Sequence, residues 1–217
     1  MSEDMSNTGA SKASGVSGEA GIYEIALRQL DGAATTLGAF AGRVLLIVNV
    51  ASECSLTPQY EGLEALYQRC RDRGLVIAGF PANDFAAQEP GSSDQIATFC
   101  KASYAVDFPL FEKVTVVGPN KHPLYQALIQ ARPTAQLPAA AETAGASFRQ
   151  TLASYLAGYD GSVPNPEPEV LWNFEKFLVS RTGQVVGRFS PDMTPDDPAL
   201  VAAIETELAR EGKDSAG

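Results

Sequence analysis

The sequence predicts an α/β protein in which a central mixed β-sheet is flanked by helices and entered through an N-terminal β-hairpin. Three observations carry that reading. Val44–Val50 and residues 75–80 are near-continuous apolar runs, as expected of strands buried on both faces. The stretch between them has helical periodicity, and strand–helix–strand order implies a parallel pair with a right-handed crossover. A later pair of apolar runs is hinged on Arg181-Thr182-Gly183, a short hairpin turn.

Each element has a local reason. Residues 22–27 and 33–37 flank Asp31-Gly32, which marks a turn and predicts the hairpin. After Val50 the chain becomes polar, and Thr57-Pro58 reads as an N-cap followed by proline at the first helical position. Tyr60, Leu63, Leu66, Tyr67 and Cys70 then recur on one helical face, and Gly74 closes it. Ser92-Ser93-Asp94-Gln95 fits a capping box opening a second helix, whose apolar face holds Ile96, Phe99 and Cys100. Residues 123–130 predict a short helix. Residues 133–168, rich in Ala, Pro, Ser and Thr, read as an excursion with one amphipathic helix through Phe148, Leu152, Tyr155 and Leu156. That face could pack on the domain, meet a second subunit or shade the site. Residues 177–180 and 184–189 predict the last strands and residues 199–208 a terminal helix. The organisation expected is one domain over residues 22–212, between a flexible tail at 1–21 and a short tail at 213–217.

Composition narrows the function. The 217 residues are 45% apolar, enough for one ordinary core, and 26 acidic against 16 basic residues give a net charge of −10. An acidic chain lacks the electrostatic footprint for nucleic acid or anionic membrane. No run approaches the ~18 apolar residues of a membrane span. The N-terminal residues lack the apolar core of a secretory signal, so the expected location is cytoplasmic. Three cysteines without a C-x-x-C pair, and His122 as the only imidazole, argue against a zinc cluster or a His-rich metal site. No cofactor is expected, and cysteine is the expected actor in any catalysis.

In open α/β sheets, sites gather beyond the carboxyl ends of parallel strands. Cys54 lies there, just before the predicted helix. A helix N-terminus favours thiolate, the nucleophilic form of cysteine. Cys54 sits in a polar loop rather than on an apolar stripe, which favours reactivity over burial as a small hydrophobe.

The residues around Cys54, Asn49-Val50-Ala51-Ser52-Glu53-Cys54 through Tyr60, resemble the peroxidatic-cysteine motif of the glutathione peroxidase family. Gly79-Phe80-Pro81-Ala82-Asn83-Asp84 through Gln88 and Gly91 resembles its second motif, and Leu171-Trp172-Asn173-Phe174 through Phe177 its third. The likeness runs from about residue 22 to residue 210 and is nearest the bacterial, cysteine-containing branch. It implies a thioredoxin-like fold, in keeping with the element order. It also implies a catalytic tetrad of Cys54, Gln88, Trp172 and Asn173. Amide and indole N–H groups suit that role because they can hydrogen-bond a thiolate and steady a departing alkoxide. Taken singly, Trp172 would read as a core anchor, and Gln88 and Asn173 as turn or capping residues.

Cys100, at helical spacing from Ile96, reads on its own as a core residue. The resemblance places it where many bacterial relatives carry a resolving cysteine, which condenses with the sulfenic acid at the first cysteine to give a disulfide. Its helix would then have to unwind locally, since a disulfide needs Cα atoms within ~7 Å. Cys70 reads as structural. Three positions depart from the family's common pattern. Ala82 removes a thiol, Asp84 adds a carboxylate that would raise the Cys54 pKa only if it points inward, and Ser55 replaces a glycine. The function implied is a thiol peroxidase that reduces hydrogen peroxide and organic hydroperoxides and is recycled by thioredoxin. A direct glutathione-dependent peroxidase and a redox relay that passes its disulfide to a partner protein are the alternatives. Monomer and homodimer stay equally open.

Overall fold

The computed structural model describes residues 21–139 and 147–210. The expected tails, Gly21 apart, and the middle of the 133–168 excursion lie outside the described residues. In chain order the elements are β1 (Ala26–Arg28), β2 (Ala34–Thr36), β3 (Val44–Val50), α1 (Gln59–Cys70), β4 (Leu75–Pro81), α2 (Ser93–Tyr104), α3 (Pro123–Ala131), α4 (Phe148–Tyr159), β5 (Lys176–Val179), β6 (Val185–Phe189) and α5 (Pro198–Ala209). No helix among the described residues is long and apolar enough to cross a membrane.

The sheet order is β4-β3-β5-β6, with β1 and β2 forming a separate hairpin. All seven residues of β3 are buried, as a both-faces-covered strand requires. β3 runs parallel to β4 from Val44 opposite Leu75 to Val50 opposite Pro81, and antiparallel to β5, with Val48 opposite Lys176. This register positions the site. The carboxyl ends of β3 and β4 and the amino end of β5 share one edge of the sheet. The segments after Val50, after Pro81 and before Lys176 therefore emerge side by side.

One buried apolar cluster extends from Ile22 to Leu208 and includes the β3 and β4 side chains. Each fully buried Leu, Ile or Val contributes about 1.5–3 kcal/mol of transfer free energy. Tyr60 sits at its site-facing end, its ring against those of Tyr104, Phe108 and Phe174. Gly79 is required by close approach: its backbone exchanges hydrogen bonds with Pro109 and Phe111, and a Cβ there would meet Leu110 at 2.6 Å.

Two boundaries differ from the sequence expectation. Residues 21–24 form a turn, so the first strand starts at Ala26 rather than Ile22. Ile22 is apolar because it packs into the core, and the Tyr23 carbonyl accepts from Gly38 N. Thr57 does not cap α1: its hydroxyl donates to Ala51 O (2.9 Å) and accepts from Cys54 N (3.0 Å). The helix starts at Gln59, with Pro58 as the N-cap residue and no side-chain cap. The other predicted terminators stand: a 3-10 turn over Arg71–Arg73 ends at Gly74 with φ 102°, and Ser92 forms a complete capping box. A second complete capping box, at Ser147, opens α4.

Candidate active site

Cys54 lies in the turn between β3 and α1, 7% exposed. Its Sγ accepts from Leu56 N at 3.4 Å, and among the described residues this is the only hydrogen bond drawn to it. The donor belongs to the turn itself rather than to the first turn of the helix. Thr57 holds the turn closed through its hydroxyl and through its own N–H, which donates to Cys54 O (3.0 Å). Ser55 has no left-handed backbone, so no glycine is needed there.

Gln88 follows two consecutive non-glycine residues in the left-handed region, Ala86 at φ 50° and Ala87 at φ 52°. Such residues cost roughly 1–2 kcal/mol each and persist where the surroundings over-determine them. Here the chain is pinned by Glu53 N donating to Gln88 O (3.0 Å) and Glu89 N donating to Asn83 Oδ1 (2.8 Å). Ser52 Oγ donates to the buried Glu89 carboxylate, whose pKa burial pushes above the ordinary range. The loops carrying Cys54 and Gln88 are thus tied together through Ser52 and Glu53, immediately before the thiol-bearing residue.

Trp172 and Asn173 precede β5. Asn49, fully buried in β3, holds their turn with its side-chain amide and its carbonyl: Nδ2 donates to Trp172 O (3.0 Å), Oδ1 accepts from Glu175 N (3.1 Å) and its carbonyl accepts from Phe174 N. Phe174 is also left-handed, at φ 66°. The turn aims Asn173 Nδ2 at Gln88 Oε1 (3.0 Å), while Asn173 Oδ1 is buried without a partner. The Trp172 ring packs on Phe85 (5.1 Å between centroids) and on Tyr155 of α4 (5.9 Å, edge to face).

The structure therefore joins Gln88 to Asn173 directly and to the Cys54 loop through its backbone. None of Gln88, Trp172 and Asn173 hydrogen-bonds Sγ. Cys100 lies elsewhere, on the buried face of α2 beside the Tyr60 hydroxyl. Burial, aided by the Glu89 charge and opposed by Tyr60, pushes its thiol up to about 11. A cleft of about 450 Å³ separates Ser52, Glu53 and Glu89 from Gln95, Ile96 and Phe99 of α2. All three cysteines are free thiols. Asp84 is exposed and its carboxylate accepts from Val116 N (2.8 Å). His122 is occupied at the start of α3, Nδ1 accepting from Leu124 N.

Sequence reasoning missed the residues that hold this turn. Glu175, Lys176 and Arg188 are buried and charged within or beside β5 and β6. Glu175 accepts from Leu171 N (2.7 Å) and pairs with Arg188, which also donates to the carbonyls of Arg132, Pro133, Pro168 and Glu169. The available signal was a charged residue inside an apolar run, because buried charges are paired or hydrogen-bonded.

A thiol beyond the carboxyl edge of a parallel strand pair, with amide and indole groups delivered by two neighbouring loops, defines a thiol redox protein on a thioredoxin-like fold. Solved structures agree. The crystal structure of Trgpx in apo form matches with a TM-score of 0.60 at 27% identity, over 88% of this chain and 96% of that one. The glutathione peroxidase family profile matches residues 22–129. The chain is 49% identical to the thioredoxin/glutathione peroxidase BtuE of Escherichia coli, over 87% of this chain and 98% of that protein. It is 45% identical to a hydroperoxy fatty acid reductase of Synechocystis, over 86% of this chain and 95% of that one. The chain belongs to the glutathione peroxidase family. It is an oxidoreductase, a thiol peroxidase.

Proposed function

We propose that the protein reduces hydrogen peroxide and organic hydroperoxides in the cytoplasm with Cys54 as the peroxidatic residue, Cys100 as the resolving residue and thioredoxin as the reductant. The observation that carries this reading is the convergence of the Cys54 turn, the Gln88 amide and the Trp172–Asn173 turn at one edge of the sheet. The Cys54 thiolate attacks the terminal peroxide oxygen, the O–O bond breaks, and the alkoxide leaves and takes up a proton to become an alcohol, or water from hydrogen peroxide. Cys54 is left as a sulfenic acid. With Asn173 Nδ2 fixing Gln88 Oε1, the Gln88 amide turns its N–H groups away from Asn173, which suits stabilising the departing oxygen.

Cys100 then supplies the second thiol. Its sulfur displaces hydroxide from Cys54, the thiol proton completes a water molecule, and a disulfide remains. Cys100 starts buried with its pKa pushed up to about 11, so α2 must open for this step; the cleft between the Cys54 loop and α2 supports that route. A thioredoxin dithiol returns both cysteines to thiols and becomes oxidised itself. Thioredoxin is supported by the name of the Escherichia coli relative, and organic hydroperoxides by that of the Synechocystis relative. The net charge of −10 disfavours glutathione, itself an anion.

The test is peroxide-dependent NADPH oxidation through thioredoxin and its reductase. Wild type turns over, Cys54→Ser is inactive, and Cys100→Ser stops after one equivalent. Full turnover by Cys100→Ser would instead make Cys100 a core residue and bring a small thiol forward as the direct reductant.

A further inference from the structure

The excursion returns to the site. α4 is anchored by buried Leu152 and Leu156 and by its capping box, and Arg149 donates to Asn165 O (2.8 Å). From this fixed helix, Tyr155 and Tyr159 project as a stacked pair, 5.7 Å between centroids and 13° apart. Tyr155 meets the Trp172 ring edge to face, and its hydroxyl accepts from Gln88 Nε2 at 3.5 Å. The Tyr159 hydroxyl donates to Ala86 O (3.3 Å), on the left-handed segment leading into Gln88. Both rings are nonetheless 44% and 54% exposed, two of the four large hydrophobic side chains most open to solvent among the described residues.

We infer that Tyr155 is a positioning and specificity-determining residue of the peroxidase: it orients the Gln88 amide and, stacked with Tyr159, offers an aromatic wall to the organic group of a bulky hydroperoxide. This rests on the peroxidase reading given above. Positioning follows from the hydrogen-bond inventory. Gln88 Oε1 is taken by Asn173 Nδ2 and one Nε2 hydrogen points at Tyr155, so a flipped amide would set Nε2 against the Asn173 donor. The second Nε2 hydrogen stays available to the reacting oxygen. Specificity follows from the exposed aromatic surface. Hydrogen peroxide has no apolar part to place on the rings, whereas a cumyl or acyl group can pack against a preformed, half-exposed aromatic face.

The test is quenched-flow oxidation of reduced protein by hydrogen peroxide and by cumene hydroperoxide, following the Cys54 thiol by mass. Tyr155→Phe, which keeps the ring, should slow both peroxides equally, about three- to fivefold. Tyr155→Ala should in addition lower the ratio of the cumene hydroperoxide rate to the hydrogen peroxide rate by about tenfold. Wild-type rates in Tyr155→Phe would overturn the positioning role, and an unchanged ratio in Tyr155→Ala would overturn the specificity role. A wild-type Cys54 inert to both peroxides would overturn the peroxidase reading beneath them, an outcome distinct from either.

Discussion

Replacing Arg188 with Met keeps most of the side-chain volume and removes the charge that Glu175 faces. Both residues are essentially without solvent contact, and Arg188 Nε donates to Glu175 Oε1. The loss would leave a buried carboxylate with Leu171 N as its close remaining partner, and would strip a shared donor from the carbonyls of Arg132, Pro133, Pro168 and Glu169. Breaking a buried pair on one side costs about 3–5 kcal/mol, because the surviving charge is left without water or its counter-charge. Burial already raises the Glu175 pKa, with Arg188 the first force opposing it, so Arg188→Met should raise it further. Urea unfolding at pH 7, followed by the single tryptophan, measures the loss. A double-mutant cycle with Glu175→Gln isolates the coupling, expected at about 2–3 kcal/mol. Trp172 precedes Glu175 by three residues, so Arg188→Met should also slow Cys54 oxidation. A loss under ~1 kcal/mol, or additivity within ~0.5 kcal/mol, would refute the argument.

Lys176 is fully buried among Gln59 Oε1 and the carbonyls of Pro191 and Met193, and burial lowers its pKa to about 7. An unfolded lysine holds its proton to about 10.4, so between these values the unfolded state binds more protons and stability rises with pH. Between pH 7 and 9 the gain should be about 2 kcal/mol by urea unfolding, and Lys176→Met should lack it. Above pH 9 the raised Cys100 pKa works the opposite way, since the unfolded thiol ionises first. Ala105 closes α2 in the left-handed region at φ 53°, donating to Cys100 O and Lys101 O, so Ala105→Gly should gain up to about 1 kcal/mol, read as a higher melting temperature. A decrease would mean the site is not strained. With a pKa of about 11, Cys100 is about one-thousandth thiolate at pH 8, so iodoacetamide should label it in the folded, reduced protein at least a hundredfold more slowly than in urea.

The parts of the fold visible in the sequence were those with local causes. The burial of Val44–Val50 on both faces, the capping box at Ser92 and the left-handed Gly74 each follow from a few adjacent residues. Thr57 and Ile22 misled because their partners are set by the turn and the core rather than by the local helix or strand pattern. The site divides the same way. Cys54 could be singled out by its place after a buried strand, but Gln88, Trp172 and Asn173 became candidates only through the family resemblance. No periodicity relates residues that meet across the sheet edge from three separate segments. Asn49 and Glu175 hold that meeting point and were legible only as polar residues inside apolar runs. Tyr155 looked like part of a helix face, and nothing in its neighbourhood of sequence points to Gln88.

The most direct test is to treat reduced wild-type protein with one equivalent of hydroperoxide and map its thiols by peptide mass. The account predicts a single disulfide between Cys54 and Cys100, Cys70 still free, and both thiols restored by reduced thioredoxin. A persistent sulfenic acid at Cys54 with Cys100 still reduced, or a Cys54 left unoxidised, would contradict it.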